Sequence, residues 1–233
     1  MHALSSPGVL ELWEHGMSLH PLDRGLLALS VGDPSCASGV ADWPLGRRNR
    51  ALLDLHASWF GPRLDAWTSC PSCGEKVELA LDARELAMSA PAAEPDDTVT
   101  VDEFAFRVPT SRDLAYVVAL DAPEPATSLL DRCRTSGPDP ATWTDELLDS
   151  VQDRLAAADP LAETRLALRC PSCQREWEDA FDAGAFVWAE IESRARRVLW
   201  EVHTLASAYG WSESESLALG DRRRAMYLEM VHA

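Results

Sequence analysis

The sequence predicts an α+β protein, mainly helical, with two small β-hairpins related by an internal repeat and a long C-terminal helix. Three observations carry this prediction. Apolar residues recur at helical spacing over 44–60, from 145 onward and again over 183–209. Period-two alternation follows each of two Cys-Pro-Ser-Cys units, as in Val77, Leu79 and Leu81. The flanks of the two units also match at a constant offset of 100 residues, from Cys70 to Asp82 and from Cys170 to Asp182.

Taken in order, Ser6-Pro7 opens a first helix carrying Val9, Leu10, Leu12 and Trp13, and Gly16 stops it. The helix over 44–60 places Leu45, Leu52, Leu55 and Trp59 on one face and Arg47, Arg48 and Arg50 on another, before Gly61-Pro62 ends it. The first cysteine unit is then the turn of a hairpin. An Ala-, Pro- and acid-rich stretch over 87–97 reads as a surface loop. Val99, Val101, Phe104, Phe106 and Val108 around Asp102-Glu103 predict a further hairpin, and Thr110 to Asp113 a capped helix through Leu120. Pro123, Pro125, Gly137, Pro138 and Pro140 punctuate the middle, with a short helix expected over 128–134. Thr144 caps a helix bearing Leu147, Leu148, Val151 and Leu155. The second cysteine unit runs into the longest element: Asp182 caps it, Val187, Ile191, Ala195, Val198, Val202 and Leu205 form its stripe, and Gly210 stops it. Ser212 with Glu215 predicts a capping box, and a terminal helix covers 221–231. The chain thus divides into helices over 1–62, a hairpin over 63–86, an insertion over 87–160, a second hairpin over 161–182 and C-terminal helices over 183–233, all in one compact unit.

Composition narrows the chemistry. The 233 residues carry 38 acidic against 21 basic side chains, a formal charge of −17 that repels phosphate backbones, so no nucleic-acid partner is expected. With no apolar run of spanning length and no basic residue leading into an apolar N-terminal segment, neither a membrane span nor a secretory signal is expected, and the reading is cytoplasmic. In that compartment thiols stay reduced, so six cysteines point to metal or redox chemistry before disulfides. A Cys-x2-Cys turn presents two sulfurs from one knuckle, and zinc takes four thiolates in a tetrahedron. Cys70, Cys73, Cys170 and Cys173 are therefore the expected ligands of one structural Zn2+, held by two zinc-knuckle hairpins packed about a pseudo-two-fold axis. The 96 residues between Cys73 and Cys170 (74–169) exceed the usual spacing of a compact ribbon, which the repeated flanks offset. Two rivals remain open. A Cys-Pro-x-Cys dithiol oxidoreductase would need each unit to open a helix, where strand patterns follow instead. A zinc-ribbon adaptor in transcription or RNA handling would need a basic, aromatic face.

Other candidates read as ordinary structure. His2, His15, His20, His56, His203 and His232 lack metal-pair spacing, and His203 is expected to make an interhelical hydrogen bond. Cys36 and Cys133 read as plain buried or half-buried thiols, and Arg47-Arg48-Asn49-Arg50 and Arg222-Arg223-Arg224 as solvated helix faces. Trp188, Trp200 and Trp211 read as core, with interface anchoring as the alternative. No phosphate loop, nucleophile elbow or carboxylate pair stands out, so neither catalysis nor a small-molecule substrate is expected.

Several phrases together resemble a known family. Trp43-Pro44-Leu45-Gly46-Arg47-Arg48-Asn49, the paired cysteine units, Arg107-Val108-Pro109-Thr110-Ser111-Arg112-Asp113-Leu114, Trp188-Ala189-Glu190-Ile191-Glu192 and Tyr209-Gly210-Trp211-Ser212-Glu213 are similar to baseplate-associated proteins of contractile tails. These are the phage-type hub and assembly-chaperone proteins of extracellular contractile injection systems, and the resemblance runs over about residues 10–231. It implies a structural role at the baseplate, with other baseplate, spike or tube proteins as partners.

Overall fold

In the computed structural model, residues 4–90, 98–120 and 124–232 are described. The fold is α+β: helices dominate, the sheets are small and antiparallel, and the longest element is a C-terminal helix. No described helix is long and apolar enough to cross a membrane.

Helix α1 (Ser6–Met17) begins where the Gly8 N–H donates to Ser5 Oγ at 3.3 Å, and it buries Val9, Leu10 and Leu12. Helix α2 (Pro21–Gly32) is not among the elements the sequence predicts. Its signals are Pro21 in first position, Leu22, Leu26 and Leu29 at helical spacing, and His20, whose Nδ1 accepts the Leu22 N–H at 3.3 Å. A histidine is not among the preferred caps, so the start is easily passed over. Two single 3-10 turns, Pro34–Cys36 and Val40–Asp42, lead to α3 (Leu45–Trp59). Strands β1 (Arg63–Ser69) and β2 (Lys76–Asp82) form the first hairpin, and α4 (Ala83–Met88) follows. The loop expected over 87–97 therefore begins later, because Ala87 and Met88 complete α4. Its portion over 91–97 lies outside the described residues.

In the insertion, β3 (Thr98–Val101) and β4 (Phe104–Arg107) turn at Asp102, with φ of 51°, and α5 (Ser111–Leu120) follows. Helix α6 (Pro125–Cys133) starts on Pro125 and ends before Arg134, which opens β5 (Arg134–Ser136). This third strand pairs with β4 and is too short to show as a period-two pattern. Helix α7 (Asp145–Ala158) is capped by Thr144 as expected. The second hairpin, β6 (Thr164–Arg169) with β7 (Glu176–Phe181), runs into α8 (Ala183–Tyr209), which Gly210 ends at φ of 70°. Helix α9 (Glu213–Leu217) carries the Ser212–Glu215 capping box, and α10 (Asp221–His232) closes the description.

Helix α8 is the spine. Its Val187, Trp188 and Ile191 pack with Leu12, Leu29, Leu52, Leu55, Leu64 and Phe181, and one turn further Ala195 and Val198 meet Val9 and Leu10. Each such aliphatic side chain contributes about 1.5–3 kcal/mol when removed from water. The insertion has a separate core of Phe104, Phe106, Leu130 and Val151, with Trp143 edge-on to Phe106 at 5.6 Å. It roots on the first turn of α3: the Gly46 N–H donates to Asp159 Oδ2 at 2.8 Å and the Leu45 N–H to the Pro109 carbonyl at 3.1 Å, while Asn49 Nδ2 donates to the Leu161 carbonyl at 2.8 Å where the second hairpin segment begins. Position 46 must be glycine, since a Cβ there would lie 1.9 Å from Asp159 Oδ1.

Candidate metal centre

Each cysteine unit is the turn of its hairpin, and the two turns are built alike. The Cys70 N–H donates to the Glu75 carbonyl at 2.8 Å and the Gly74 N–H to the Cys70 carbonyl at 2.9 Å. One hundred residues on, the Cys170 N–H donates to the Arg175 carbonyl at 2.9 Å and the Gln174 N–H to the Cys170 carbonyl at 3.0 Å. Closing so tight a turn needs a left-handed residue, which is Gly74 (φ 73°) in one copy and Gln174 (φ 62°) in the other. The strand registers repeat as well: Ser69 faces Lys76, and Arg169 faces Glu176. Beyond the strands, Asp82 Oδ1 accepts the N–H groups of Arg84 and Glu85, and Asp182 Oδ1 those of Gly184 and Ala185. The repeating unit is thus strand, turn, strand and capped helix. In the first copy the helix stops after 6 residues, whereas in the second it runs for 27.

Packing of the hairpins brings all four sulfurs within 4.8 Å of one another. Cys70 Sγ lies 3.6 Å from Cys173 Sγ, and Cys73 Sγ lies 3.6 Å from Cys170 Sγ. The offset of 100 exchanges these two pairs, which is the signature of a pseudo-two-fold axis through the site. Burial obeys it too, with Cys70 and Cys170 buried and Cys73 and Cys173 exposed. Thr68 Oγ1 donates to Asp179 Oδ2 at 2.7 Å and Ser172 Oγ to Glu75 Oε2 at 3.1 Å, tying one hairpin to the other.

The donor set fits a tetrahedral thiophilic ion. Zinc–sulfur bonds of about 2.3 Å place tetrahedral sulfurs about 3.8 Å apart, close to the two observed pairs and far from the ~2.05 Å of a disulfide. Protonation argues the same way. Desolvation raises the Cys70 pKa, but the N–H groups of Cys73 and Ser72, with the neighbouring thiols, bring it down to about 7. For Cys73 the Glu75 N–H lowers the pKa, yet Cys173, desolvation, Cys170 and Cys70 together push it up to about 12. A thiol held as high as that of Cys73 stays protonated at neutral pH, and a cation among the sulfurs would favour its thiolate. Cys70, Cys73, Cys170 and Cys173 therefore form a possible metal-binding site. Strands, not helices, follow both units, so no helix N-terminus activates a thiol there.

The remaining sequence candidates divide. Cys36 is half-buried, and Cys133 is fully buried with its thiol pushed up to about 12 by desolvation and by Asp113. His203 is exposed on α8 and makes no interhelical hydrogen bond among the described residues. Trp188 is buried with Arg24 over its ring at 5.0 Å, Trp200 is exposed, and Trp211 stacks on Tyr209 at 4.8 Å. The basic clusters are not wholly solvated. Arg48 is half-buried, and Arg224 is 1% exposed, with Nε donating to Glu201 Oε2 at 2.8 Å and Nη2 to Ser6 Oγ and Asp221 Oδ1 at 2.7 Å. No protein-family model, curated protein or solved structure matches the chain.

Proposed function

We propose that this chain is a non-catalytic structural protein stapled by one Zn2+ at Cys70, Cys73, Cys170 and Cys173, acting as a baseplate component or assembly factor of a phage-tail-like contractile injection system. The observation that carries the staple is the convergence of four sulfurs from two pseudo-symmetric turns. A shell of four thiolates leaves no open position for water or substrate, so the ion would supply rigidity, with roughly 10 kcal/mol of binding free energy coupled to folding. The baseplate assignment rests on the phrases named in the sequence analysis. Two of them meet in space: Trp43 to Asn49 and Arg107 to Leu114 are joined where Arg48 donates to Ser111 Oγ at 3.0 Å and Leu45 to Pro109. Other baseplate, spike or tube proteins are the proposed partners, and assembly in the cytoplasm the proposed setting.

Elemental mass spectrometry on untagged protein tests the staple. One zinc per chain in the wild type, lost in both Cys70→Ser and Cys170→Ser, supports it, whereas a metal-free chain with reversible disulfides overturns it in favour of dithiol chemistry. The baseplate reading is tested by deleting the gene from a host that makes such particles and examining them by electron microscopy. Intact, contractile particles without this chain would overturn it.

A further inference from the structure

Helix α5 turns an apolar face to water, where a surface helix ordinarily turns a charged one. From Leu114 to Leu120 it carries no charged side chain, and Val117 is the only residue of that stretch that is buried. Tyr116, Val118 and Leu120 are 45%, 54% and 53% exposed, and Ala115 and Ala119 are exposed beside them. The patch is held in place from one side, since α5 packs on α6, Arg132 Nε donates to Asp113 Oδ1 at 2.9 Å, and the Arg132 guanidinium lies 4.0 Å from the centre of the Tyr116 ring. Contiguous exposed apolar surface of this kind marks a contact site. Its side chains fall into three rows at i, i+4 spacing: Leu114 with Val118, Ala115 with Ala119, and Tyr116 with Leu120. A second helix can therefore approach closely over the small row while the two large rows enclose it.

Charge and shape together say what covers it. Two copies of a chain with formal charge −17 repel each other, and the stretch from Leu114 to Leu120 is a surface on which they can meet without bringing like charges together. The face is also complementary to itself. In an antiparallel pair related by a two-fold axis, Ala115 lies opposite Ala119 of the second copy, Leu114 against its Val118, and Tyr116 against its Leu120. The same arrangement opposes the two helix dipoles and lays Arg112, whose side chain is 60% exposed in the first turn of α5, beside the carbonyl end of the other helix. We propose that this face of α5 is a dimerisation surface on which a second copy of the chain docks antiparallel about a two-fold axis. Functional apolar patches measure about 300–600 Å2, so two of them face to face bury about 600–1,200 Å2 in total, which places the dimer in the weak, reversible class with a dissociation constant of roughly 1–100 μM.

Sedimentation equilibrium of the untagged full chain across that concentration range tests this. A reversible monomer–dimer equilibrium is expected, and added salt should tighten it by screening the repulsion between the two acidic chains. Val118→Asp and Leu120→Asp should each weaken the dimer at least about tenfold, because each sets a carboxylate into an apolar contact. Met230→Asp, at a 61% exposed apolar position on α10, should leave the dimer unchanged. Far-UV circular dichroism shows which variants keep the fold, and should one of the α5 variants lose it, the other carries the test. A chain that stays monomeric throughout, a dimer that the folded α5 variants leave intact, a dimer that Met230→Asp weakens equally, weakening by salt, or assembly beyond the dimer would overturn the proposal.

Discussion

At the scale of single residues, the two turns form an internal experiment in which one left-handed position is filled by Gly74 and its equivalent by Gln174. Side chains other than glycine pay about 1 kcal/mol or more in that conformation. Gly74→Gln is therefore expected to destabilise the metal-loaded protein by about 1 kcal/mol in urea unfolding. Gln174→Gly should stabilise by less, since it frees more backbone entropy on unfolding and loses the bond from Gln174 Nε2 to the Pro171 carbonyl at 2.9 Å. A second residue couples stability to pH. His56 is 1% exposed, and neither ring nitrogen has a hydrogen-bond partner among the described residues. Desolvation lowers its pKa below the ordinary 6.5, with Glu190 and the nearby Gly61 backbone, which falls short of hydrogen-bond geometry, opposing. The unfolded chain thus takes up the proton first, and stability is lost as pH falls from 6.5 toward the lowered folded value. Urea midpoints at pH 7.5 and 5.5 should differ less in His56→Leu than in the wild type, and an unchanged difference would show that His56 is not the source. Of these features, the cysteines are legible in the sequence because their spacing is their chemistry. His56 is not, because its burial depends on how α3 meets the rest of the fold.

At the scale of elements, α10 illustrates why periodicity alone falls short. This helix meets α8 through two ion pairs, Arg224 with Glu201 and Arg194 with Asp221 at 2.9 Å, and through Tyr227 against Tyr209, while Arg224 also reaches Ser6 of α1 and Asp221 of its own helix, and Arg197 of α8 shares Glu201 at 3.0 Å. Three consecutive arginines at 222–224 look equivalent along the chain, and only the placement of α9 and α10 beside α8 selects Arg224 for burial. Removing one member of a buried ion pair leaves the other charge unsatisfied, at a cost of about 3–5 kcal/mol. Arg224→Ala is accordingly expected to lower stability by about 3 kcal/mol, the low end because Arg197 still serves Glu201. Arg222→Ala, on an exposed position, should stay within about 0.5 kcal/mol. Similar urea midpoints for the two variants would contradict the buried network. The capped starts of α7, α8 and α9 were readable because Thr144, Asp182 and Ser212 act within three residues of themselves. Strand β5, three residues long, and α2, with its histidine cap, give no local signal of comparable strength.

At the scale of the whole molecule, the offset of 100 makes the pairing of the hairpins legible, since equivalent sequences adopt equivalent turns and two such turns can face one ion. What the chain does not announce is that the insertion has its own apolar cluster, because Phe104, Leu130 and Val151 gather only once β4, α6 and α7 are assembled. This division decides what metal removal should do. A two-stranded hairpin is marginal by itself, and apart from the sulfurs the two tips share the bonds from Thr68 to Asp179 and from Ser172 to Glu75. Ile191, Val198 and Leu205 of α8, by contrast, are fully buried among other helices. A strong chelator at neutral pH should therefore lower the melting temperature by on the order of 10 °C. Hydrogen exchange should accelerate in parallel over 68–78 and 168–178, while α8 from 191 to 205 and the insertion core keep their protection. The parallelism is the discriminating readout: one shared ion releases both hairpins at the same chelator concentration, whereas two independent sites would release them separately.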